Sequence, residues 1–396
     1  MKFCLINNLF PPLSRGGTEK IVELITAGVK NFGEVMVITS QPDDVSSCKR
    51  EDNLTVCRYN PQNFYYLMDD GKKNVQEKIF WHLRDLFNRP VLKFVKEQLN
   101  KFKPDFVFTH NLKGLSLGIP KIIRKLKLTQ IHTLHDYQLL EPHGSFYRQG
   151  QNLALKGPFY ALYRYLTKQA IKSPDLVVSP SAFVLKKHRE YGFFKKSKTA
   201  VLPNPIIINH QLLATRYPLP AKLRLLYLGQ IEPHKGVEFL VRTFLKWQNP
   251  NAALAIAGNG SDLEKIKKIS KNDARIKILG KVENEKLAEL FQNTDLLVLP
   301  SLWWENSPTV IYEAYGYGAP VLVSDTGGAK ELVREGETGW IFKSNSGDDL
   351  ISKLKMLMEN KNKLPLAGKA GYQLVQNFAV DKYISKLLEL CQSLKK

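Results

Sequence analysis

Two glutamates, Glu305 and Glu313, stand eight residues apart in "SLWWENSPTVIYEAYGYGAPVLVSDTGG" (301–328). Ser307 between them suits a helix N-cap, and Pro308 has the fixed φ preferred at a first helical position. Glu305 then sits beside Asn306 just ahead of a helix, and Glu313 lies about one and a half turns into it. The N–H groups of Thr309 and Val310 would point out of the helix start, where a phosphate oxygen is favoured. An acid next to such a site repels the phosphate, so it suits the hydroxyls of a sugar or ribose. This is the only Glu-x7-Glu pair in the chain. One such pair is expected by chance, and a solvated Glu313 is the plain alternative. The signal lies in the context: the apolar run "LLVLP" before the pair and "GYGAPVLVSDTGG" after it.

Other candidates also follow short apolar runs. "LRLLYLG" leads into "QIEPHKG", where Lys235 and the N–H groups after Gly236 converge as they would on a phosphate. The chain lacks the P-loop pattern GxxxxGK[ST]. "AALAIAG" leads into Gly258-Asn259-Gly260, which permits close backbone approach, with Ser261 as a possible N-cap. Near the N-terminus, Gly16 and Gly17 precede a helix read as capped by Thr18, another loop of backbone donors. It lacks the GxGxxG of a dinucleotide site, and no acid ends the second strand to hold an NAD ribose. His110 and His135-Asp136 end two further runs, where an imidazole can move a proton or bind a ligand. A capping or loop role fits His110 equally well. His132, His135, Asp136 and His143 invite a metal reading, but 132 and 135 point to opposite faces of an extended strand. No Cys/His cluster completes a shell, so no metal is expected. No Asp-x-Asp pair is present to hold a metal diphosphate.

The elements that would carry these residues alternate. Strand patterns at 2–7, 34–40, 105–110, 129–135, 175–180 and 199–204 are separated by helical patterns at 18–31, 76–102, 115–126, 158–172 and 181–190. After a Pro-punctuated stretch, strands recur at 223–229, 252–258, 275–280, 296–300 and 320–325. Helices are read near 236–247, 261–270, 284–293, 308–317 and 328–334, then at 347–360, 363–377 and 379–395. Such alternation implies βαβ units, and near-continuous apolar strands imply parallel sheets covered on both faces. The fold class expected is α/β, with two doubly wound, Rossmann-like domains at 1–203 and 204–378. A last helix at about 379–396 is long enough to fold back on the first domain. In such sheets, ligands bind outside the carboxyl ends of the strands, where every candidate above lies.

Composition limits the alternatives. A chain of 396 residues, 43% hydrophobic and 24% charged, describes an ordinary two-domain enzyme with ample core. No run approaches a bilayer span, and the N-terminus reads as a first strand, not a signal peptide. Four scattered cysteines, with no CxxC, suggest free thiols in a reducing cytoplasm. The net charge is +21. Residues 1–210 hold 32 of the 58 basic side chains but only 17 of the 37 acidic ones. That half fits an anionic membrane face, an acidic substrate, nucleic acid or simply solvated helices. No recognisable nucleic-acid module is present, so nucleic acid is not the expected partner.

Taken in order, "RGGTE" (15–19), "HDY" (135–137), "LGQIEPHKG" (228–236), "LGKV" (279–282) and Glu305-x7-Glu313 with "GAPVLVSDTGG" resemble family 4 retaining glycosyltransferases. The resemblance spans nearly the whole chain. It implies the GT-B architecture, with a nucleotide-sugar donor on the second domain and the acceptor on the first. By resemblance, Lys235 and donors around Ser307, Thr309 and Val310 would hold the donor diphosphate. Glu313 would bind the ribose, Glu305 would face the sugar and Val282 would meet the base through its backbone. Gly16 and Gly17 would lie against the phosphates and His135 near the transferred sugar. One departure stands out: Gln230 occupies a position where the family often has an arginine, removing a second cation. The resemblance implies a UDP-sugar first and a GDP-sugar next, no metal cofactor, and a glycan or lipid-linked acceptor at the inner membrane face. A phosphorylase or nucleotide-sugar epimerase on the same architecture is the rival enzyme reading. A nucleic-acid-binding protein is the rival without catalysis.

Overall fold

The computed structural model describes residues 1–142, 144–148, 151–152, 156–208 and 222–394. The chain forms two compact units. One comprises Met1–Ser145, Leu155–Pro205 and Val380–Lys396; the other comprises Phe146–Ala154 and Ile206–Ala379.

In chain order the elements begin with β1 (Lys2–Ile6), α1 (Gly17–Lys30), β2 (Glu34–Ser40), β3 (Ser47–Glu51) and β4 (Leu54–Tyr59). There follow α2 (Val75–Leu86), α3 (Arg89–Phe102), β5 (Phe106–Thr109), α4 (Ile119–Lys125) and β6 (Thr129–Thr133). After the two-residue strands β7 (Tyr147–Arg148) and β8 (Gln151–Asn152) come α5 (Pro158–Ile171), β9 (Leu176–Ser179), α6 (Ala182–Glu190) and β10 (Lys198–Val201). The sheet of the first unit runs β10-β9-β6-β5-β1-β2-β4-β3, parallel except for the β3–β4 pair. Its central strands are buried along their whole length, as a sheet with both faces covered requires. One face packs on α1 through Ile21, Val22, Ile25 and Val29; the other packs on α3 and α4 through Val91, Val95, Leu99 and Ile119.

The second unit carries β11 (Leu223–Leu228), α7 (Val237–Lys246), β12 (Ala252–Ala257), α8 (Leu263–Ser270), β13 (Ile276–Gly280) and α9 (Leu287–Gln292). It continues with β14 (Leu296–Leu299), α10 (Thr309–Gly316), β15 (Val321–Ser324), β16 (Gly339–Phe342), α11 (Gly347–Glu359) and α12 (Lys363–Val375). Its six strands are all parallel in the order β13-β12-β11-β14-β15-β16. The chain therefore winds outward from β11 in one direction and restarts beside it at β14. That reversal is the topological switch point at which doubly wound sheets bind ligands. The last helix, α13 (Val380–Gln392), belongs to the first unit. It buries Tyr383, Ile384, Leu387, Leu388 and Cys391 against α1, where Gly28 lets Ile384 approach closely.

Several details differ from the sequence reading. The helix read at 76–102 is two helices, because Asn88 caps a new one by accepting from Val91 N and Pro90 occupies its first turn. Strands β3, β4 and β16 were not expected: β3 is a charged, exposed edge and β16 is a four-residue strand opening on glycine. The helix read at 328–334 is one 3-10 turn, Ala329–Leu332. Cys48 and Cys57, partners across the β3–β4 pair, form a disulfide, so free thiols hold only for the buried Cys4 and Cys391.

Candidate active site

In the second unit the loops at the carboxyl ends of β11, β12 and β13 are stitched together by backbone bonds. Gly229 N donates to Ala257 O at 3.0 Å and Gly258 N to Gly280 O at 2.7 Å. Gly258 has φ +147°, and a Cβ there would stand 1.8 Å from Gly229 O, so only glycine fits. Gln230 receives the Tyr227 hydroxyl on its carbonyl at 2.5 Å. Asn259 turns Oδ1 onto Gly260 N at 2.8 Å, fixing its own loop. Ser261 does not cap α8, whose N-cap is Asp262; its hydroxyl donates to Glu232 at 2.6 Å. Val282, just beyond β13, packs on the core of this unit.

Lys235 and Glu305 meet at the switch point, one after β11 and the other after β14. Lys235 ends a 3-10 turn, Pro233–Lys235, and Gly236 is the N-cap of α7. Its ammonium donates to Glu305 Oε1 at 2.8 Å, and Ser301 Oγ donates to the same oxygen at 2.7 Å. Glu305 is only 3% exposed. Burial alone would raise its carboxyl, but the Lys235 charge and the hydrogen bonds from Lys235 and Ser301 together hold it below the ordinary value. The carboxylate is therefore ionised at neutral pH. The backbone of Glu305 is held from behind, where Gly328 N donates to its carbonyl at 2.7 Å. Gly327 has φ +61°, and a Cβ there would lie 2.2 Å from that same carbonyl oxygen. Trp303 lies under the ammonium, 4.8 Å from Nζ to ring centroid, and the His234 ring meets Trp303 edge-on at 5.0 Å. Burial, then the neighbouring Lys235 charge, pushes the His234 imidazole down to about 4, so it is neutral.

The helix α10 begins at Thr309 with Pro308 as N-cap. Ser307 is not the cap. Its hydroxyl pairs with Tyr312 Oη at 2.6 Å, because proline already sets the entry geometry. Thr309 and Val310 are first-turn residues, whose N–H groups have no intrahelical acceptor. Asn306 is buried beside them, and Glu313 is half-buried on the same helix.

In the first unit α1 starts at Gly17, and its N-cap is Gly16, not Thr18. The Gly16 N–H donates to the Glu19 carboxylate at 3.0 Å, so part of that donor loop is already satisfied by the chain itself. His110 and His135 follow the paired strands β5 and β6, and His110 Nδ1 lies 2.8 Å from His135 Nε2. His132 turns away and bonds Thr109 Oγ1 at 3.0 Å. Burial pushes His135 and His132 down to about 3 and His110 well below its ordinary value. His143 lies outside the described residues. Among the described residues no group of three His, Cys, Asp or Glu is arranged to hold a metal ion.

Sequence reasoning missed Ser301, Trp303, His234 and the supporting role of Gly327-Gly328. Ser301 stands four residues before Glu305 and His234 one before Lys235, so proximity was visible but contact was not.

A family model described as Glycosyl transferases group 1 matches residues 218–374, and one described as Glycosyltransferase Family 4 matches residues 15–210. An uncharacterized 42.6 kDa protein in the cps region of Klebsiella pneumoniae is 29% identical over 341 residues, 84% of this chain and 88% of that protein. Among solved structures, sucrose-phosphate synthase from Thermosynechococcus elongatus superposes with TM-score 0.77 at 19% identity, covering 99% of this chain and 98% of that one. HepE of Anabaena in complex with UDP superposes with TM-score 0.70 at 16% identity, covering 99% and 100%.

Proposed function

Because the chain belongs to the family 4 type of GT-B glycosyltransferases, we infer that its second unit binds a nucleotide-sugar and donates the sugar with retention. The observation that carries this reading is the buried Lys235–Glu305 pair at the switch point, beside the start of α10. An ammonium has three N–H donors, and Glu305 takes one, leaving others for a diphosphate. The Thr309 and Val310 N–H groups, near Ser307 and Asn306, supply neutral donors to the same charge. Glu305 spends two lone pairs on Lys235 and Ser301, and its remaining capacity is suited to sugar hydroxyls and to positive charge at the reacting carbon. Glu313 binds the ribose, and the loops at Gly258, Asn259 and Val282 line the base. With Gln230 uncharged, Lys235 and helix N-termini carry the leaving diphosphate. Departure of that group leaves an oxocarbenium-like sugar. The acceptor hydroxyl attacks from the same face and passes its proton to the departing phosphate, so no metal is required.

UDP is the favoured nucleotide, GDP next, in line with the UDP bound by HepE. The acceptor is a glycan or a lipid-linked glycan of cell-surface polysaccharide, in keeping with the cps region of the Klebsiella relative. A peripheral membrane face on the first unit fits such an acceptor. Along α5, Phe159, Leu162 and Tyr165 are exposed at helical spacing, and no Asp or Glu occurs from 142 to 174. Lys156, Arg164, Lys168 and Lys172 flank them, a pairing suited to an anionic leaflet. Among the described residues no helix is long and apolar enough to cross a membrane.

The test is a thermal-shift panel with UDP, GDP, ADP, CMP and NAD. A ligand at about 100 times its Kd adds about 2.7 kcal/mol to stability. Selective stabilisation by one nucleoside diphosphate, lost in Lys235→Ala, is the expected result; indifference to all five would overturn the donor assignment. Liposome co-sedimentation indifferent to anionic lipid would remove the membrane face.

A further inference from the structure

The contact between His110 and His135 has a chemical consequence. His110 follows β5 directly, held by its own N–H to Ile6 O at 2.9 Å, and is 1% exposed. His135 lies two residues beyond β6, the next strand, whose register pairs Thr109 with His132. The two rings share one bond, His110 Nδ1 to His135 Nε2, at 2.8 Å. The other ring nitrogen of His110, Nε2, is buried with no hydrogen-bond partner.

Two neutral imidazoles can share such a bond in only two ways. If His135 Nε2–H donates, His110 must carry its proton on Nε2, burying an N–H donor with nothing to receive it. If His110 Nδ1–H donates, its Nε2 keeps only a lone pair, and His135 must carry its proton on Nδ1. A buried donor left unsatisfied costs about 1–3 kcal/mol. Orphaned buried N–H groups are also rarer in proteins than under-satisfied acceptors. The second arrangement is favoured.

We propose that His110 is a positioning residue that donates from Nδ1 and locks His135 as the Nδ1–H tautomer, so that His135 offers its surroundings a hydrogen-bond donor and not a base. Among the described residues His135 Nδ1 has no side-chain or backbone partner, so that donor is available to a ligand. This rests on the reading of His135 as a residue beside the transferred sugar. It refines that reading: a neutral N–H donor suits a sugar hydroxyl oxygen. It also leaves the proton of the attacking hydroxyl to the departing phosphate.

The experiment is long-range 1H–15N correlation on the full chain with 15N-histidine at neutral pH, His135 being assigned by loss of its signals in His135→Gln. The expected spectrum shows a protonated Nδ1 and a pyridine-type Nε2 at His135. That is the reverse of the tautomer free histidine favours in water, so it cannot arise by default. His110→Leu should return His135 to the Nε2–H form and lower kcat about tenfold, the order expected for one lost hydrogen bond, with the donor KM little changed. His110→Asn, whose amide nitrogen can stand where Nδ1 stood, should restore both the tautomer and most of the turnover. A wild-type His135 with its proton on Nε2 overturns the proposal, whatever the activity. So does a tautomer unchanged in a folded His110→Leu. An Nδ1–H tautomer in a chain with no transferase activity would instead count against the functional reading while leaving the tautomer lock standing.

Discussion

The Lys235–Glu305 pair can be tested without a substrate. Lys235→Met removes the cation and keeps an apolar stem of similar length. The Glu305 side chain is 4% exposed and that of Lys235 is 19% exposed, so the acid is the buried partner and the base is partly wet. Removing one partner of a buried pair costs about 3–5 kcal/mol, because a charge is left uncompensated. Water reaching the lysine side argues for the low end, about 3 kcal/mol. Glu305→Gln leaves the partly exposed ammonium, which water can solvate, so its cost is smaller, about 1 kcal/mol. In the double variant no charge remains buried. It should be about 1–2 kcal/mol more stable than Lys235→Met alone, so the coupling against the summed single costs is about 2–3 kcal/mol, well outside the roughly 0.5 kcal/mol of independent sites. In a unit of about 180 residues, a loss of 3 kcal/mol lowers the midpoint by about 6–12 °C.

The pH dependence supplies a second check. In the wild type the folded carboxyl is held below its unfolded value, so its contribution is present above pH ~4.3 and is lost as pH falls through the folded value. Without Lys235 burial dominates, the carboxyl titrates upward, and the penalty should shrink as pH is lowered toward 5. Urea unfolding of the four proteins at pH 7.5 and pH 5 measures both effects. Additive single substitutions, or a Lys235→Met penalty that does not change with pH, would refute the picture of a buried, mutually dependent pair.

Glu305→Gln should cut turnover strongly while the far-UV spectrum is unchanged, and Glu313→Ala should chiefly raise the apparent donor KM; initial-rate kinetics read both. Gly327→Ala forces a Cβ against the Glu305 carbonyl at a positive φ. It should cost about 1–3 kcal/mol and lower turnover with the Glu305 side chain intact, as thermal unfolding and single-turnover rates can show. His188 is fully buried, bonds Val184 O at 2.9 Å, and is pushed down to about 4 by burial. Its neutral form contributes stability that is present above pH ~6.5 and is lost as pH falls, about 2 kcal/mol between pH 7 and 5. Buried Asp85 and half-buried Asp136, both raised to about 7 chiefly by desolvation, work in the opposite direction. The measurement is therefore differential: His188→Phe should gain about 2 kcal/mol on wild type over that interval in urea unfolding, and parallel pH profiles would refute it.

What the sequence made legible follows from what is local. Apolar runs such as "LLVLP" and "PVLVSD" announced β14 and β15 because strands buried on both faces must be apolar throughout. Since ligands gather at the carboxyl ends of such strands, the same runs pointed to Lys235, Gly258 and Glu305. Strand β3 escaped notice because an exposed edge reads "SCKRE", with no apolar face to betray it. The cap of α10 was misassigned by one residue, since a serine and a proline in succession each satisfy the same local rule. The direct contact of Lys235 with Glu305 was invisible for a different reason. The two residues are 70 apart in sequence and meet only because β14 returns to lie beside β11. Strand order is a property of the whole sheet, and no local pattern encodes it. The same holds for His110 and His135, each read as the end of its own strand. Only the pairing of β5 with β6 turns two separate imidazoles into a dyad whose proton has one favoured place. Chemistry that depends on residue type and neighbours in sequence could thus be read in advance, whereas chemistry that depends on which strand ends are adjacent had to wait for the fold.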